Sequence, residues 1–221
     1  MTVTFDTMRH NEEIRALLEA GDEALGIIGF TDHGYGHAGL VSKVAGDILE
    51  TLGYDERTCE LGRIAGFIHD IGNAVNRSNH ALTGALLAYE ILLRAGMSPR
   101  EATAITTAIG NHDEGTAAAV TPLSAALILA GKSDVRRSRV RASRVRSRFD
   151  IHDRVNFAAE SSRLLVDRER SIVTLSIRID TEICAVMDYF EIFLGRMMLS
   201  RKAAEFLNIS FELVINGQRL L

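Results

Sequence analysis

The sequence predicts a mainly α protein that ends in a small α+β appendage. Three observations carry this: a helical hydrophobic period up to about residue 135, two proline-marked helix starts, and a change to a period of two beyond about 150. A chain of 221 residues can bury one sizeable core, with or without a small addition. The expected division is a helical part over 1–148 and an α+β part over 149–221.

Leu40, Val41, Val44, Ile48 and Leu52 fall on one helical face, as do Leu61, Ile64, Ala65 and Ile68. Ser98-Pro99-Arg100-Glu101 sets an N-cap serine before a first-turn proline, with a glutamate spaced for a capping box, and Thr121-Pro122 repeats the cap and proline. Helices are therefore expected to begin near 99 and 122. Later, Val173, Leu175, Ile177 and Ile179 alternate with Thr174, Ser176 and Arg178, as in a half-buried strand. Residues 163–166 are its expected hairpin partner across a turn at 167–170. A helix carrying Ile183, Val186, Phe190, Phe193, Met197 and Met198 follows, then a strand with Phe211, Leu213 and Ile215 before an Asn216-Gly217 turn. The Phe and Met stripe reads as core, with a homodimer contact through this C-terminal part as its second use.

Hydrophobic residues at 47% and charged ones at 24% fit an ordinary globular protein and exclude disordered and fibrous classes. Cys59 and Cys184 alone support neither a disulfide framework nor a cysteine zinc site, so a reducing cytoplasm is expected. The N-terminus lacks a basic start followed by an apolar core, and the apolar run at 117–131 is broken by Thr121, Pro122 and Ser124. Neither export nor membrane spanning is expected.

The net charge of −4 argues against a whole-protein polyanion binder. One block reverses the sign: over 132–148, Lys132, Arg136, Arg137, Arg139, Arg141, Arg144, Arg146 and Arg148 face Asp134 as the only acid. Two readings stay open for it, a solvated face or connector and the recruitment of phosphate or a nucleotide. No aromatic residue interleaves with these arginines before Phe149, which argues against sequence-specific nucleic-acid recognition.

Of seven histidines, His33, His37, His69, His80 and His112 lie where a helix is expected to begin or end. Taken singly, each reads as a surface or satisfied core histidine; the set carries the signal. His69 and Asp70 are adjacent, and neighbours on a regular helix point roughly 100° apart. The helix must end there for both to meet one ion, and Gly72 is suitably placed to stop it. Several helix ends then converge on one cavity.

These residues resemble the metal-dependent HD superfamily, named for its His-Asp pair. The resemblance covers roughly 30–148 and runs, in the family's order, through G-H-A-G-L-V at His37, F-I-H-D-I-G-N at His69-Asp70, N-H-A-L-T-G-A at His80 and I-G-N-H-D-E at His112. It implies an HD-type helical bundle with His37, His69, Asp70, His80 and His112 as metal ligands. The HDIG and N-H-D-E blocks lean towards the branch containing the HD-GYP cyclic-dinucleotide phosphodiesterases. There a glutamate one turn before the first histidine can serve a third metal, and His33 occupies that place.

The chain departs from the family pattern at two places. Gly131-Lys132-Ser133-Asp134 stands where an Asp-Lys-x-Asp-like stretch is usual, so Asp134 is the remaining candidate ligand, or a group behind the ligands or at a helix cap. Asn73 stands where HD-GYP members carry lysine, and no GYP stretch follows Glu114, which weakens cyclic-dinucleotide cleavage as the activity. Gly34-Tyr35-Gly36 is a different loop.

The donor set favours two divalent ions from Mn, Fe, Ni, Co or Zn over Mg or Ca. The leading expectation is a phosphohydrolase or phosphodiesterase acting on a nucleotide-like phosphate ester. In it Asp70 bridges the ions, His33 binds metal or moves a proton, Lys132 assists, and Lys132, Arg136 and Arg137 contact phosphate. Two other readings are a non-catalytic nucleotide- or partner-binding module that lost its site at Gly131, and a di-iron oxygenase.

Overall fold

The computed structural model describes residues 2–142, 145 and 149–221, and the helical period is realised as seven helices before residue 133. They are α1 (Phe5–Arg9), α2 (Glu12–Ile27), α3 (Tyr35–Leu52), α4 (Glu56–Ile68), α5 (His80–Arg94), α6 (Pro99–Gly110) and α7 (Pro122–Lys132). Short polar side chains start several of them. Asn11, Asp55 and Ser98 each accept the amide of the residue three positions on, satisfying a donor that the helix itself leaves free.

Both prolines open helices as expected, with one exchange of roles. Glu101 does not close a capping box on Ser98; its carboxylate takes the Ser98 hydroxyl at 3.0 Å and Arg57 Nε at 2.6 Å, because the guanidinium is the stronger partner. The complete box forms instead at Thr121, where the Ser124 hydroxyl serves in place of a longer side chain.

Helix α7 is the axis of the core. Every residue from Leu123 to Ala130 is buried, as expected for a helix apolar all round, and α3, α4, α6 and a C-terminal helix pack around it. Helix α3 turns a slightly different face inward from the one expected, burying Ala38, Val41, Ala45, Ile48 and Leu49 and leaving Leu40 half-buried. The expected stripe of α4 is buried in full. At Gly66 on α4 a Cβ would stand 2.7 Å from the Ser42 Cα, so the missing side chain lets these two helices approach closely.

The C-terminal part contains α8 (Ile151–Ala158), β1 (Ala159–Asp167), β2 (Ile172–Ile179), α9 (Val186–Phe206), β3 (Ser210–Ile215) and β4 (Gln218–Arg219). Its sheet runs β1-β2-β3-β4. Strands β1 and β2 form the expected antiparallel hairpin, with Val166 opposite Val173 and Leu164 opposite Leu175. Strand β3 joins β2 in parallel through the α9 crossover, and Asn216-Gly217 turns into β4 with both residues at positive φ, 51° and 81°, a conformation that suits these residue types.

The alternating Val173, Leu175, Ile177 and Ile179 are all buried. On α9 the inward face is Tyr189, Phe193 and Met197; Ile183 precedes the helix, Phe190 is half-buried and Met198 is exposed. Helix α9 packs on α7, and β1 packs on α3. The architecture is mainly α with a small four-stranded α+β addition at the C-terminal end. Among the described residues no helix is long and apolar enough to cross a membrane.

Candidate metal centre

Four helix ends bring the site together. His37 lies in the first turn of α3, His69 caps the end of α4, His80 is the first residue of α5, and His112 follows the end of α6. The chain leaves α4 as the adjacent pair required: Asp70 has φ −99° and ψ 4°, and a 3-10 turn, Ile71–Ala74, follows. Gly72 lets α5 approach this turn closely. A Cβ there would fall 2.0 Å from the His80 carbonyl oxygen and 2.5 Å from the Gly84 nitrogen, so α5 docks directly on the turn and delivers His80.

Asp70 is the centre of the cluster. Its Oδ2 lies 3.6 Å from His37 Nε2 and 3.3 Å from His69 Nε2. Its Oδ1 lies 3.4 Å from His80 Nε2 and 3.7 Å from His112 Nε2. Two triads result, His37-His69-Asp70 and Asp70-His80-His112, each with donor atoms within 4.8 Å of one another and all buried.

The tautomers are set from behind. The Nδ1 atoms of His69, His80 and His112 donate to the carbonyls of Gly66 at 2.9 Å, Arg77 at 3.0 Å and Ile109 at 2.6 Å. His37 Nδ1 donates to Asp134 Oδ2 at 2.7 Å. In neutral rings all four Nε2 atoms therefore carry lone pairs, and all four are turned on one carboxylate. Burial drives His37 and His112 down to about 4, so both are neutral near pH 7. Burial opposes ionisation of Asp70, but His69, His112 and His80 outweigh it and hold the carboxyl well below its ordinary range. Four imidazole nitrogens converging on one carboxylate are a donor set for cations, and imidazole with carboxylate suits transition metals. The residues fit a bound metal ion.

Asp134 is not among the converging donors. Helix α7 ends at Lys132 with Ser133 as its cap, so the helical spacing from Gly131 does not continue to Asp134. Its oxygens are engaged by His37, by Arg136 Nε at 2.6 Å and by Arg139 Nη1 at 3.7 Å, which makes it the group that orients His37 from behind. Gly131 lines the cavity, and a Cβ there would meet nothing within 4 Å.

His33 also lines the cavity, with its ring centre 5.3 Å from that of His37. Its Nδ1 donates to the Thr31 carbonyl at 2.7 Å, and burial, with the charge of Arg139, keeps it neutral. Lys132 lines the same space 3.6 Å from Glu114, and burial lowers its ammonium to about 8. Asn73 is buried beneath the turn, donating to the Asp70 carbonyl at 3.0 Å and accepting from Arg77 at 3.2 Å.

The described part of the basic block divides, with some side chains fastened to neighbouring backbone and others on the cavity wall. Arg136 turns back onto Asp134, and Arg137 donates to the Phe157 carbonyl at 2.6 Å with its guanidinium 4.8 Å from the Phe157 ring centre. Neither of these two expected phosphate contacts lines the cavity. Arg139 donates to the carbonyls of Asp32 and Asp134, and Arg141 pairs with Asp22 at 2.7 Å and donates to Phe30, so together they fasten the loop that carries His33. Arg144, Arg146 and Arg148 lie outside the described residues, as does the expected boundary at 148. The cavity wall instead receives Arg77, Arg139 and Arg196, of which Arg77 and Arg196 had no sequence signal.

Fold and site together define a mainly helical protein with a buried His/Asp cluster able to hold metal. No protein-family model matches the chain. It is similar to an uncharacterized protein of Methanocaldococcus jannaschii, with 28% identity over an alignment covering 67% of this chain and 65% of that protein. The match thus spans just under two thirds of the relative's length.

Proposed function

We propose that this chain is an HD-type, metal-dependent phosphohydrolase acting on a phosphate ester. The observation that carries the reading is the convergence of four histidine Nε2 lone pairs on the two oxygens of Asp70, two on each oxygen. His37 and His69 with Asp70 would hold one divalent ion, and His80 and His112 with Asp70 the other, from Mn, Fe, Ni, Co or Zn. Bound there, such ions supply water activation near neutral pH and neutralise charge on phosphoryl oxygens.

The protein's own groups complete the chemistry. Asp70 stays ionised and links the two halves of the site. Neutral His33 beside His37 offers Nε2 as a proton acceptor, since its Nδ1 is committed to Thr31. Lys132 and the arginines of the wall present positive charge to a phosphate entering the cavity.

The test is metal content of the full chain purified without chelator, with turnover of bis(p-nitrophenyl) phosphate and p-nitrophenyl phosphate under added Mn. The reading expects bound transition metal and phosphate-ester cleavage that His69→Ala abolishes. Metal-free, inert protein that still binds nucleotides would overturn it in favour of a binding module. Oxygen consumption with two irons and no ester cleavage would favour an oxygenase.

A further inference from the structure

Beside the His/Asp cluster lies a second cavity of about 310 Å3, and the two spaces share His33, Arg77, Arg139 and Arg196 on their walls. The three guanidinium groups come from distant parts of the chain: the loop before α5, the turn after α7, and α9. Arg139 is 4% exposed. Its Nε and Nη1 are spent on backbone carbonyls, while its Nη2 is shielded from solvent and has no hydrogen-bond partner among the described residues. A buried donor left open by the described residues fits an acceptor brought by a ligand.

Positive charge is crowded here. Arg196 acts electrostatically on both Arg139 and Lys132. Of the carboxylates on the two walls, Glu114 is engaged by Arg196 at 2.5 Å and by Lys132, and Asp70, Asp113 and Asp150 line the spaces beside it. A dianion with several acceptor oxygens matches convergent guanidinium donors better than a carboxylate or water does. Beyond the arginines the second cavity is lined by the rings of Phe30 and Phe193 and by Ile28, with Asp150, His152 and Asn156 as polar neighbours. Arg77 sits over the Phe30 ring at 5.3 Å and Arg196 over the Phe193 ring at 4.2 Å, so the rings both shape the space and hold the cations in place.

We propose that Arg77, Arg139 and Arg196 form a collar for the phosphoryl oxygens of a phosphate monoester whose organic group is flat and aromatic or heterocyclic, and that the cavity lined by Phe30 and Phe193 receives that group. The proposal deepens the phosphohydrolase reading and rests on it for the identity of the reacting group. Helix α9 is then part of substrate recognition, because it supplies both Phe193 and Arg196.

The test uses two non-hydrolysable probes with the same anionic head, methylphosphonate and phenylphosphonate, titrated calorimetrically into the full chain with its metals in place and again after chelation. In both states phenylphosphonate is expected to bind about tenfold more tightly than methylphosphonate, the scale of one well-buried apolar group. Arg139→Met and Arg196→Gln should each weaken both probes about tenfold, whereas Phe193→Leu should reduce only the preference for the phenyl group. Arg196 is partly exposed, so its variant keeps the test valid if Arg139→Met fails to fold.

Equal affinity for the two probes, or wild-type binding in the folded arginine variants, overturns the proposal. Ester cleavage is scored separately. Arginine-dependent binding without cleavage would refute the hydrolase reading and leave the collar standing, and cleavage without arginine-dependent binding would do the reverse.

Discussion

His80 and His112 face each other with their Nε2 atoms 3.2 Å apart, although both rings have already committed Nδ1 to a backbone carbonyl. Two lone pairs at that distance repel unless a proton or a cation lies between them. On the proposed reading this pair is one half of the site. His112→Ala should remove one ion and leave the His37-His69 half loaded, so bound metal falls from about two per chain to about one by elemental analysis. Loss of all metal would show that the halves do not bind independently.

Asp134 acts through His37. Asp134→Asn keeps the shape but weakens the anchor on His37 Nδ1, and groups behind a metal ligand typically govern affinity by about 10–100-fold. Competition with a chromophoric chelator should show a fall of that size. An unchanged affinity would mean that Asp134 serves only Arg136 and Arg139.

Two glycines should respond in opposite ways. Gly72→Ala places a Cβ 2.0 Å from the His80 carbonyl, an overlap with backbone that costs about 3 kcal/mol or more and displaces His80. Denaturant unfolding measures it. Gly131→Asp enters open space at the cavity wall, so it should fold normally and raise metal affinity in the same competition assay.

Acid should destabilise the metal-free protein before its carboxylates titrate. His37 and His112 are held near 4 in the fold against an ordinary 6.5. As pH falls through that interval the unfolded chain takes up protons that the native rings refuse, so stability falls with pH. The loss is on the order of 3 kcal/mol for each ring over the whole interval, and it ceases once the native rings protonate as well. Thermal melts of chelated protein from pH 7 to 4.5 should show a falling midpoint, and His112→Gln should reduce the slope.

The parts legible in the sequence are those written locally. Pro99 and Pro122 mark helix starts because proline needs no amide there, and the alternation at 173–179 marks a strand because its two faces meet different surroundings. The five converging residues were readable because each sits at a helix end, and helix ends are where the chain can aim a side chain at a shared point. Asp134 is legible as a candidate ligand or a group behind the ligands, but its placement on His37 Nδ1 depends on where α7 ends, which nothing in the sequence marks. Arg136 and Arg137 follow the last candidate ligand in sequence, but their side-chain directions depend on Asp134, two residues before Arg136, and on Phe157, which the fold brings up from α8. Arg196 lies 84 residues after His112 in the sequence, and only the packing of α9 on α7 carries it to the site.

The central claim is that Asp70 joins two cation sites. Elemental analysis of the full chain after loading with Mn or Co and removal of free metal should give about two ions per chain for the wild type and essentially none for folded Asp70→Asn. Retention of two ions by Asp70→Asn, or no retained metal in the wild type, would contradict it.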